Sequence, residues 1–388
     1  MAHLYGLNAD QQKLADTAAG IAREVLAKHA ADVDSKGRYP KESIDALAQA
    51  GLLGLCISPE FGGKGQPPRT FAAVTEELAK ECASTAMIYV MHVTAAQQIG
   101  ASATLKDKAA VLKEAATGKH LTTLAFSEKG SRSQFWAPSS GLTADGANFK
   151  TDASKSWVTT ARAASSYVSS ARMPGATTPL ASTLYLVRNG KPGIEIQGEF
   201  KGVGLRGNDS APVNLKGYSV PAGDLITENG KGADGMLQVV LPWFVVGTSA
   251  MSHGLCLKSI ELTSGHMQAA GFDFTGQKLR DLPNLRARLT EMSVATDRSR
   301  ALLGYAVGEM ESPDAMTPLR VLQSRHTAID TAVNVTDLAM KACGGAAFSH
   351  HLPVERLFRD ARAGWVMAPT VDHLNDFIGK ALTGLPLF

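Results

Sequence analysis

Apolar residues recur at helical spacing along the first third of the chain. Asn8, followed three residues later by Gln11, has the pattern of a capping box and marks a helix start. The apolar positions that follow share one helical face: Leu14, Ala18, Ile21, Ala22, Val25 and Leu26. Pro40 suits the first residue of another helix, which Gly51 ends. The same spacing predicts further helices over residues 70–81, 84–100 and 106–117.

The pattern changes at Leu121 from helical spacing to short alternating runs. Runs rich in β-branched and aromatic residues occupy positions 122–126, 156–159, 167–169, 182–187 and 193–196. Turn dipeptides such as Asp145-Gly146 and Asn189-Gly190 punctuate this stretch. We therefore predict a β region that extends to about Pro221.

Helical spacing returns after Gly235, with predicted helices over residues 237–269, 284–311, 318–342 and 371–382. A helical block, a β block and a second helical block are typical of an α+β fold with a sheet between two helical regions. The predicted domains are an N-terminal helical domain (1–120), a middle β domain (121–233) and a C-terminal helical domain (234–388).

Charge and composition exclude several classes of function. The 388-residue chain carries a formal net charge of +3, too small to indicate nucleic-acid binding. The first residues have no leader-like pattern and no apolar stretch is long enough to span a membrane, so we expect a cytoplasmic protein. The cysteines have no metal-ligand spacing and are interpreted as buried reduced thiols: Cys56, Cys82, Cys256 and Cys343.

Three segments have residues suited to a polar cofactor. Residues 126–133 end a strand in a Gly/Ser-rich loop, whose backbone N–H groups and hydroxyls can receive a partly anionic ligand. Trp157 lies in a predicted strand close to Thr159, and Gly344-Gly345 would let the backbone approach a ligand closely. Each pattern alone also fits an ordinary structural role, as a surface loop or a core tryptophan.

Together, and in this order, these segments resemble the acyl-CoA dehydrogenase family of flavoproteins. The likeness covers essentially the whole chain and includes residues 51–55, 61–63, 204–210, 228–232 and 353–362. It implies an N-terminal helical domain, a middle β domain and a C-terminal four-helix bundle, in a homo-oligomer built as a dimer of dimers. It also implies a bound FAD, whose ring accepts a hydride at N5.

The resemblance implies cofactor contacts for eight residues. In chain order these are Phe126 (through its backbone), Ser127, Ser133, Trp157, Thr159, Gly344, Gly345 and Thr370. The first two would meet the flavin pyrimidine edge, and the third would meet the pyrophosphate. The tryptophan would lie against the ring and the threonine after it near N5 and O4. The two glycines would approach the ADP half from a neighbouring subunit, and the last threonine would close the site.

The chain departs from the family at the carboxylate that removes the substrate α proton. In most members a Glu follows the Arg-Asp-Ala motif at a short fixed interval, and Ala368 stands there in this chain. In a minority the Glu lies on the helix entered near Leu241, where the equivalent is Phe244. A basic residue of that helix is matched by Val245, and an Arg that usually reaches the FAD pyrophosphate is matched by Phe272.

Two other residues are candidate bases. Asp372 begins the last predicted helix, where an Asp also simply complements the helix dipole. His92 lies on a helix whose counterparts line the acyl pocket, although a hydrogen-bonded core histidine has the same pattern. His253 and His373 are open to the same two interpretations. Glu128 matches a Glu common in the family's loop, and we expect it to be structural.

Apolar side chains indicate the substrate pocket: Met91, Leu241, Trp243, Phe244 and Met367. We favour an FAD-dependent oxidoreductase that acts on an acyl-CoA or similar small substrate by a non-standard route. One alternative is an oxygen-dependent monooxygenase that uses reduced flavin and needs no thioester base. Another is a non-catalytic subunit of a hetero-oligomeric acyl-CoA dehydrogenase. An electron acceptor or a flavin reductase would be the redox partner.

Overall fold

Helices form the two ends of the chain and strands the middle in the computed structural model, which describes residues 4–387. The N-terminal helices are α1 (Ala9–Ile21), α2 (Ala27–Lys36), α3 (Lys41–Gln49), α4 (Pro68–Glu81), α5 (Ala83–Gly100) and α6 (Lys108–Ala116). The strands are β1 (Thr122–Ala125), β2 (Leu142–Asp145), β3 (Asn148–Val158), β4 (Ser166–Arg172), β5 (Ser182–Arg188), β6 (Ile194–Ile196) and β7 (Ala211–Val220). The C-terminal helices are α7 (Gly232–Asp234), α8 (Leu241–Ala269), α9 (Pro283–Glu311), α10 (Thr317–Cys343), α11 (Gly345–Phe348), α12 (Val354–Ala361), α13 (Ala363–Val366) and α14 (Val371–Thr383).

The N-terminal helices begin at or next to the capping residues that the sequence predicts. The Asn8 side chain accepts from the backbone N–H groups of Asp10 and Gln11, and the Gln11 side chain accepts from Asn8 N–H, so the capping box is confirmed. Pro40 is the residue before the first turn of α3 rather than its first helical residue. A π-helical segment, Ala22–Leu26, joins α1 to α2.

The β region consists of two sheets packed face to face. β1 and β4 run parallel and β5 pairs antiparallel with β4, whereas the second sheet is antiparallel in the order β2-β3-β7-β6. Inward side chains of both sheets form a separate hydrophobic core, which includes Tyr167, Tyr185, Val213 and Leu215. Register irregularities in β3 beside β7 lie between Thr151 and Ala153 and between Lys155 and Val158. The second of these contains Trp157.

The C-terminal helices build a bundle on α8. This helix packs against α9 and α10, α14 packs against α10, and α4 lies along the other side of α8. By length and composition alone, the helical stretch Gly232–Ala269 could cross a membrane. However, 72% of its most apolar window is buried within the protein. Its hydrophobicity is therefore accounted for by packing in the core of the bundle.

Candidate functional site

A cavity of about 740 Å³ lies where the N-terminal helices, the β region and the C-terminal helices meet. Its lining comes from α5, from the loops around β1, β3 and β7, from the start of α8 and from residues 359–368. The volume falls within the range of small-molecule sites, roughly 300–1,000 Å³. This cavity is therefore the candidate functional site.

The β side of the cavity presents an aromatic ring and hydroxyl groups. Trp157, near the end of β3, is 53% exposed, and its ring meets Phe200 edge-on with centroids 5.4 Å apart. Thr159 Oγ1 lies 3.4 Å from Ser210 Oγ, and Ser127 lines the same wall. Because an exposed tryptophan in a concave surface is typical of a binding site, this wall can receive a flat ligand.

A buried ion pair fixes the loop behind these hydroxyls. Glu128 and Lys155 are almost fully buried, and Lys155 Nζ lies 2.6 Å from Glu128 Oε1. The Ser140 hydroxyl donates to the same carboxylate at 2.6 Å, and Lys155 Nζ also donates to Ser170 O at 2.6 Å. Burial alone would raise the pKa of Glu128, but Lys155 and the hydroxyls of Ser139 and Ser140 lower it below its ordinary value. Glu128 ties the cavity loop to β3 and does not line the cavity.

The opposite side of the cavity is mostly apolar. Its apolar lining includes Met91, Leu241, Phe244, Met367 and Ala368, and its charged residues are Arg359 and Arg362. Among the described residues that line the whole cavity there is no Asp, Glu, His, Cys, Lys or Tyr. A general base must lie within hydrogen-bond reach of the proton it removes, directly or through one water. The side chains of the cavity wall therefore provide no such base at neutral pH.

An arginine lies buried behind this apolar wall. Arg325 on α10 is 1% exposed, and its guanidinium donates to Met367 O at 2.9 Å and to Pro369 O at 3.3 Å. It also donates to Thr248 Oγ1 at 2.5 Å, and its Cζ is 5.2 Å from the centroid of the Phe244 ring. Burial lowers the pKa of Arg325 to about 9, so the side chain remains cationic at neutral pH. Within residues 4–387 no carboxylate pairs with it.

The structure brings ten of the cofactor, pocket and base positions singled out from the sequence to the same cavity. These are Phe126, Ser127, Ser133, Trp157 and Thr159 on the β side, and Met91, Leu241, Phe244, Met367 and Ala368 on the helical side. Gly344 and Gly345 lie elsewhere, at the exposed junction of α10 and α11. Thr370 caps α14 and its hydroxyl accepts from His373 N–H. Contact of any of the eight predicted residues with a cofactor remains a prediction.

Trp243 does not line the cavity, although it was predicted to be part of the substrate pocket. Its ring packs on Phe71 of α4 with centroids 5.7 Å apart, and the side chain is absent from the cavity wall. Trp243 neighbours Phe244 in sequence, and adjacent helical residues point about 100° apart, so only one of the two faces the cavity.

The candidate bases also lie outside the cavity wall. His92 is fully buried in α5, where its Nδ1 accepts from Thr122 N–H at 3.2 Å. Burial, and then His120, lower the pKa of His92 to about 4, so it is neutral. Asp372 is exposed in the first turn of α14, as a residue that complements the helix dipole would be.

The other two histidines have structural partners. His253 is buried between the Tyr5 hydroxyl, 3.1 Å from its Nδ1, and the Ser299 hydroxyl, 2.7 Å from its Nε2. His373 Nδ1 lies 3.1 Å from Thr370 Oγ1. Neither histidine is part of the cavity wall.

Two arginines at the site were not singled out in the sequence. Arg362, directly after the Arg-Asp-Ala motif, lines the cavity, and Arg325 lies behind it. The sequence does contain a pattern that could have identified Arg325. This arginine lies on the same helical face as the apolar residues Leu322 and Ile329. A charged residue within such a stripe indicates a buried side chain that requires polar partners.

The residues present fit a flavin cofactor. A half-exposed tryptophan offers an aromatic face, and Ser127 and Thr159 offer hydroxyl donors on the same wall. Ser133 and Arg132 lie further along the same loop and line the cavity too, where they could meet a phosphate. The donor set is therefore that of a ligand with a flat aromatic ring and an anionic group.

Three domain models of one family match nearly the whole chain. They are the N-terminal domain of acyl-CoA dehydrogenase over residues 8–119, its middle domain over residues 123–218 and its C-terminal domain over residues 231–382. Among curated proteins, the chain is similar to a cyclohex-1-ene-1-carbonyl-CoA dehydrogenase of Syntrophus aciditrophicus. The two are 25% identical, over 97% of this chain and 90% of that protein.

Solved structures show the same fold. The butyryl-CoA dehydrogenase of Megasphaera elsdenii superposes with a TM-score of 0.92 at 23% identity, covering 97% of this chain and 99% of that one. The FAD complex of PigA superposes with a TM-score of 0.90 at 19% identity, covering 97% of this chain and 98% of that one. With three matched domains in the order of the family, the chain belongs to the acyl-CoA dehydrogenase family of flavin oxidoreductases.

Proposed function

We propose that this chain is an FAD-dependent oxidoreductase that acts on an acyl-CoA or a similar small substrate without the family's carboxylate base. One observation carries the proposal: a single cavity combines the half-exposed Trp157 with a lining that, among the described residues, has no Asp, Glu, His, Cys, Lys or Tyr. The first feature supports retention of a flavin. The second supports a route in which the protein does not remove the substrate proton.

The chain's own residues would bind and orient the cofactor. Bound FAD would supply a hydride acceptor at N5. Trp157 would cover one face of the ring, Ser127 and Thr159 would donate hydrogen bonds to its polar edge, and Ser133 would meet the pyrophosphate. The exposed junction at Gly344-Gly345 is open to a neighbouring copy, as a dimer of dimers with shared cofactor sites would require.

The apolar wall would set the protonation chemistry. Phe244, Met367 and Ala368 face the cavity and accept no proton. A substrate proton would therefore leave to solvent, or the substrate would arrive already deprotonated. In either case flavin reduction would become faster as the pH rises, because hydroxide or the ionised substrate becomes more abundant, with no plateau set by a carboxylate of the protein.

Binding of FAD to the Trp157 wall can be measured directly. Titration of the purified chain with FAD, followed by flavin absorbance and tryptophan fluorescence, should reach about one FAD per chain. Trp157→Ala should weaken the affinity about five- to tenfold, because aromatic stacking contributes roughly 1 kcal/mol beyond area burial. Trp243→Phe, outside the cavity, is the matched control and should bind as the wild type does. A chain that stays colourless after reconstitution would refute the proposal.

A second candidate function is favoured by the same lining. Reactions of reduced flavin with oxygen that hydroxylate a substrate need no thioester base and benefit from a dry cavity. Phe244, Met367 and Leu241 make the helical wall apolar. Labelled dioxygen and a reductase would test this candidate: label recovered in an organic product supports it, and label recovered only in hydrogen peroxide or water rejects it.

A further inference from the structure

Two arginines that line the cavity, Arg359 and Arg362, differ in whether a carboxylate of the protein neutralises their charge. Arg359 lies on α12 and lines the cavity, and it forms ion pairs with Asp34 at 2.6 Å and with Glu355 at 2.7 Å. Arg362, three residues later, also lines the cavity but forms no ion pair within residues 4–387. Arg359 is thus neutralised by the protein, whereas Arg362 is not.

The guanidinium of Arg362 is held in a fixed orientation. Its Nη1 donates to Thr336 Oγ1 at 2.7 Å and to Phe358 O at 2.8 Å. Its Cζ lies 3.4 Å from the centroid of the Phe358 ring and 5.7 Å from that of Trp365. Its Nε and Nη2 have no hydrogen-bond partner in the described chain. A planar guanidinium anchored at one nitrogen and open at the other two is preorganised to bind an oxyanion.

The surroundings of Arg362 provide little negative charge. Burial lowers the pKa of Arg362, and the carboxylate of Asp337 opposes this through its charge, but it already forms an ion pair with Lys341 at 2.6 Å. Arg325, bonded to Met367 O behind the same wall, adds a second cation without a carboxylate partner in the described chain. Partly or fully buried charges without a counterion are costly. The cavity is thus poor in anions and has two cations on one side.

We propose that Arg362 binds an oxyanion group, a carboxylate or a phosphate, of the molecule held in the cavity, with Arg325 as the second positive charge behind it. The inference rests on the proposed function, because it assumes that the ligand occupies the same cavity. It adds a specificity-determining residue and a substrate class: a ligand with an anionic group on the side of residues 362–368. A neutral ligand would leave both cations uncompensated.

The oxyanion has three possible sources, which paired probes distinguish. FAD differs from riboflavin by its pyrophosphate and adenosine, so this pair reports the anionic half of the cofactor. Butyryl-CoA differs from butyryl-pantetheine by the phosphates and adenosine of CoA. Succinyl-pantetheine and butyryl-pantetheine differ in a terminal carboxylate. The preference for the anionic member of each pair is the ratio of the two dissociation constants. For the two acyl pairs, these constants are measured with the FAD-loaded protein.

Arg362→Gln keeps a planar polar group and removes the charge. Arg362→Lys keeps the charge but removes the planar guanidinium with its paired N–H donors. Arg356→Gln is the matched control, since Arg356 lies on α12, which ends directly before Arg362, is outside the cavity wall and donates to Glu81 O. We expect Arg362→Gln to reduce the preference in one pair by about tenfold or more, as for a charge-assisted hydrogen bond. Lysine should restore part of it, and the control should leave it unchanged.

Unchanged preference in all three pairs, in a variant whose circular dichroism and melting temperature match the wild type, would overturn the inference. Loss of preference in the control to the same extent would also overturn it, because the effect would then be one of net charge. Failure of the flavin proposal looks different. In that case no variant binds FAD or riboflavin, and the acyl pairs, measured without FAD, still decide the role of Arg362.

Discussion

At the scale of single residues, Asp360 connects the Arg-Asp-Ala motif to the cavity loop. Its Oδ1 accepts from Leu205 N–H at 2.7 Å, and Leu205 and its neighbour Gly204 both line the cavity. Burial raises the pKa of Asp360 to about 6, while Leu205 N–H opposes the rise, Asp34 adds to it and Arg356 opposes it. The motif therefore has a structural function beside its value for recognising the family.

The raised pKa of Asp360 predicts a pH-dependent contribution to stability. The folded state holds this proton more tightly than the unfolded chain, where the pKa is near 3.8, so the contribution is complete below about pH 4. It is lost as the pH rises through about 6 and amounts to roughly 3 kcal/mol. Asp360→Asn does not titrate, so in urea unfolding the wild type should lose stability relative to the variant from about pH 4 to about pH 7. A pH-independent difference would contradict the shift.

Residue-level predictions come closest to the structure where a neighbouring motif fixes the position. Ala368 and Phe244 both line the cavity, which is consistent with their predicted match to the family's base positions, and that match remains a prediction. The direction of a side chain is less predictable, because it depends on which elements pack around it. For that reason the ring of Trp243 packs on Phe71, and His92 accepts a hydrogen bond from β1, rather than lining the cavity. No role could be assigned to Arg362 from the sequence, because the nitrogens it keeps free of hydrogen bonds depend on partners from α10 and α12.

At the scale of elements, local patterns predicted the type of element well and its ends approximately. The helix expected over residues 84–100 is Ala83–Gly100, and that expected over 284–311 is Pro283–Glu311. The order of the strands could not be read from the chain, because β1 pairs with β4 and β3 with β7 across long separations. Such pairing depends on tertiary packing rather than on neighbouring residues.

The close contact of α4 with α8 depends on small residues of α8. A Cβ added at Gly254 would lie 2.4 Å from Glu76 O and 2.7 Å from Ala79 Cβ, so the helix axes would have to separate. We predict that Gly254→Ala lowers the free energy of unfolding by about 1–3 kcal/mol, the usual cost of overpacking. Chemical denaturation measures the effect.

Gly265→Ala is the control for this prediction, because Gly265 lies on the same helix with nothing within 4 Å of an added Cβ. It should be neutral or stabilise by up to about 1 kcal/mol through helix propensity. Equal effects of the two substitutions would show that propensity rather than packing dominates at α8.

At the scale of the whole molecule, the cavity exists only because three regions meet. Arg359 of α12 links Asp34 of α2 to Val203 O in the loop between β6 and β7, so one side chain joins all three. The family resemblance predicted this architecture from the sequence. It also predicted cofactor-binding residues and a missing base, and the cavity lining is consistent with both.

The most direct test of the missing base is the anaerobic bleaching of bound FAD by a saturated acyl-CoA, compared between the wild type and Ala368→Glu. A correctly placed general base accelerates proton removal by roughly 10²–10⁴. We predict slow bleaching of the wild type without a carboxylate-like pKa in its pH profile, and a rate at least about 100-fold higher in Ala368→Glu. Rapid bleaching of the wild type, governed by a protein carboxylate and not accelerated by the substitution, would contradict the account.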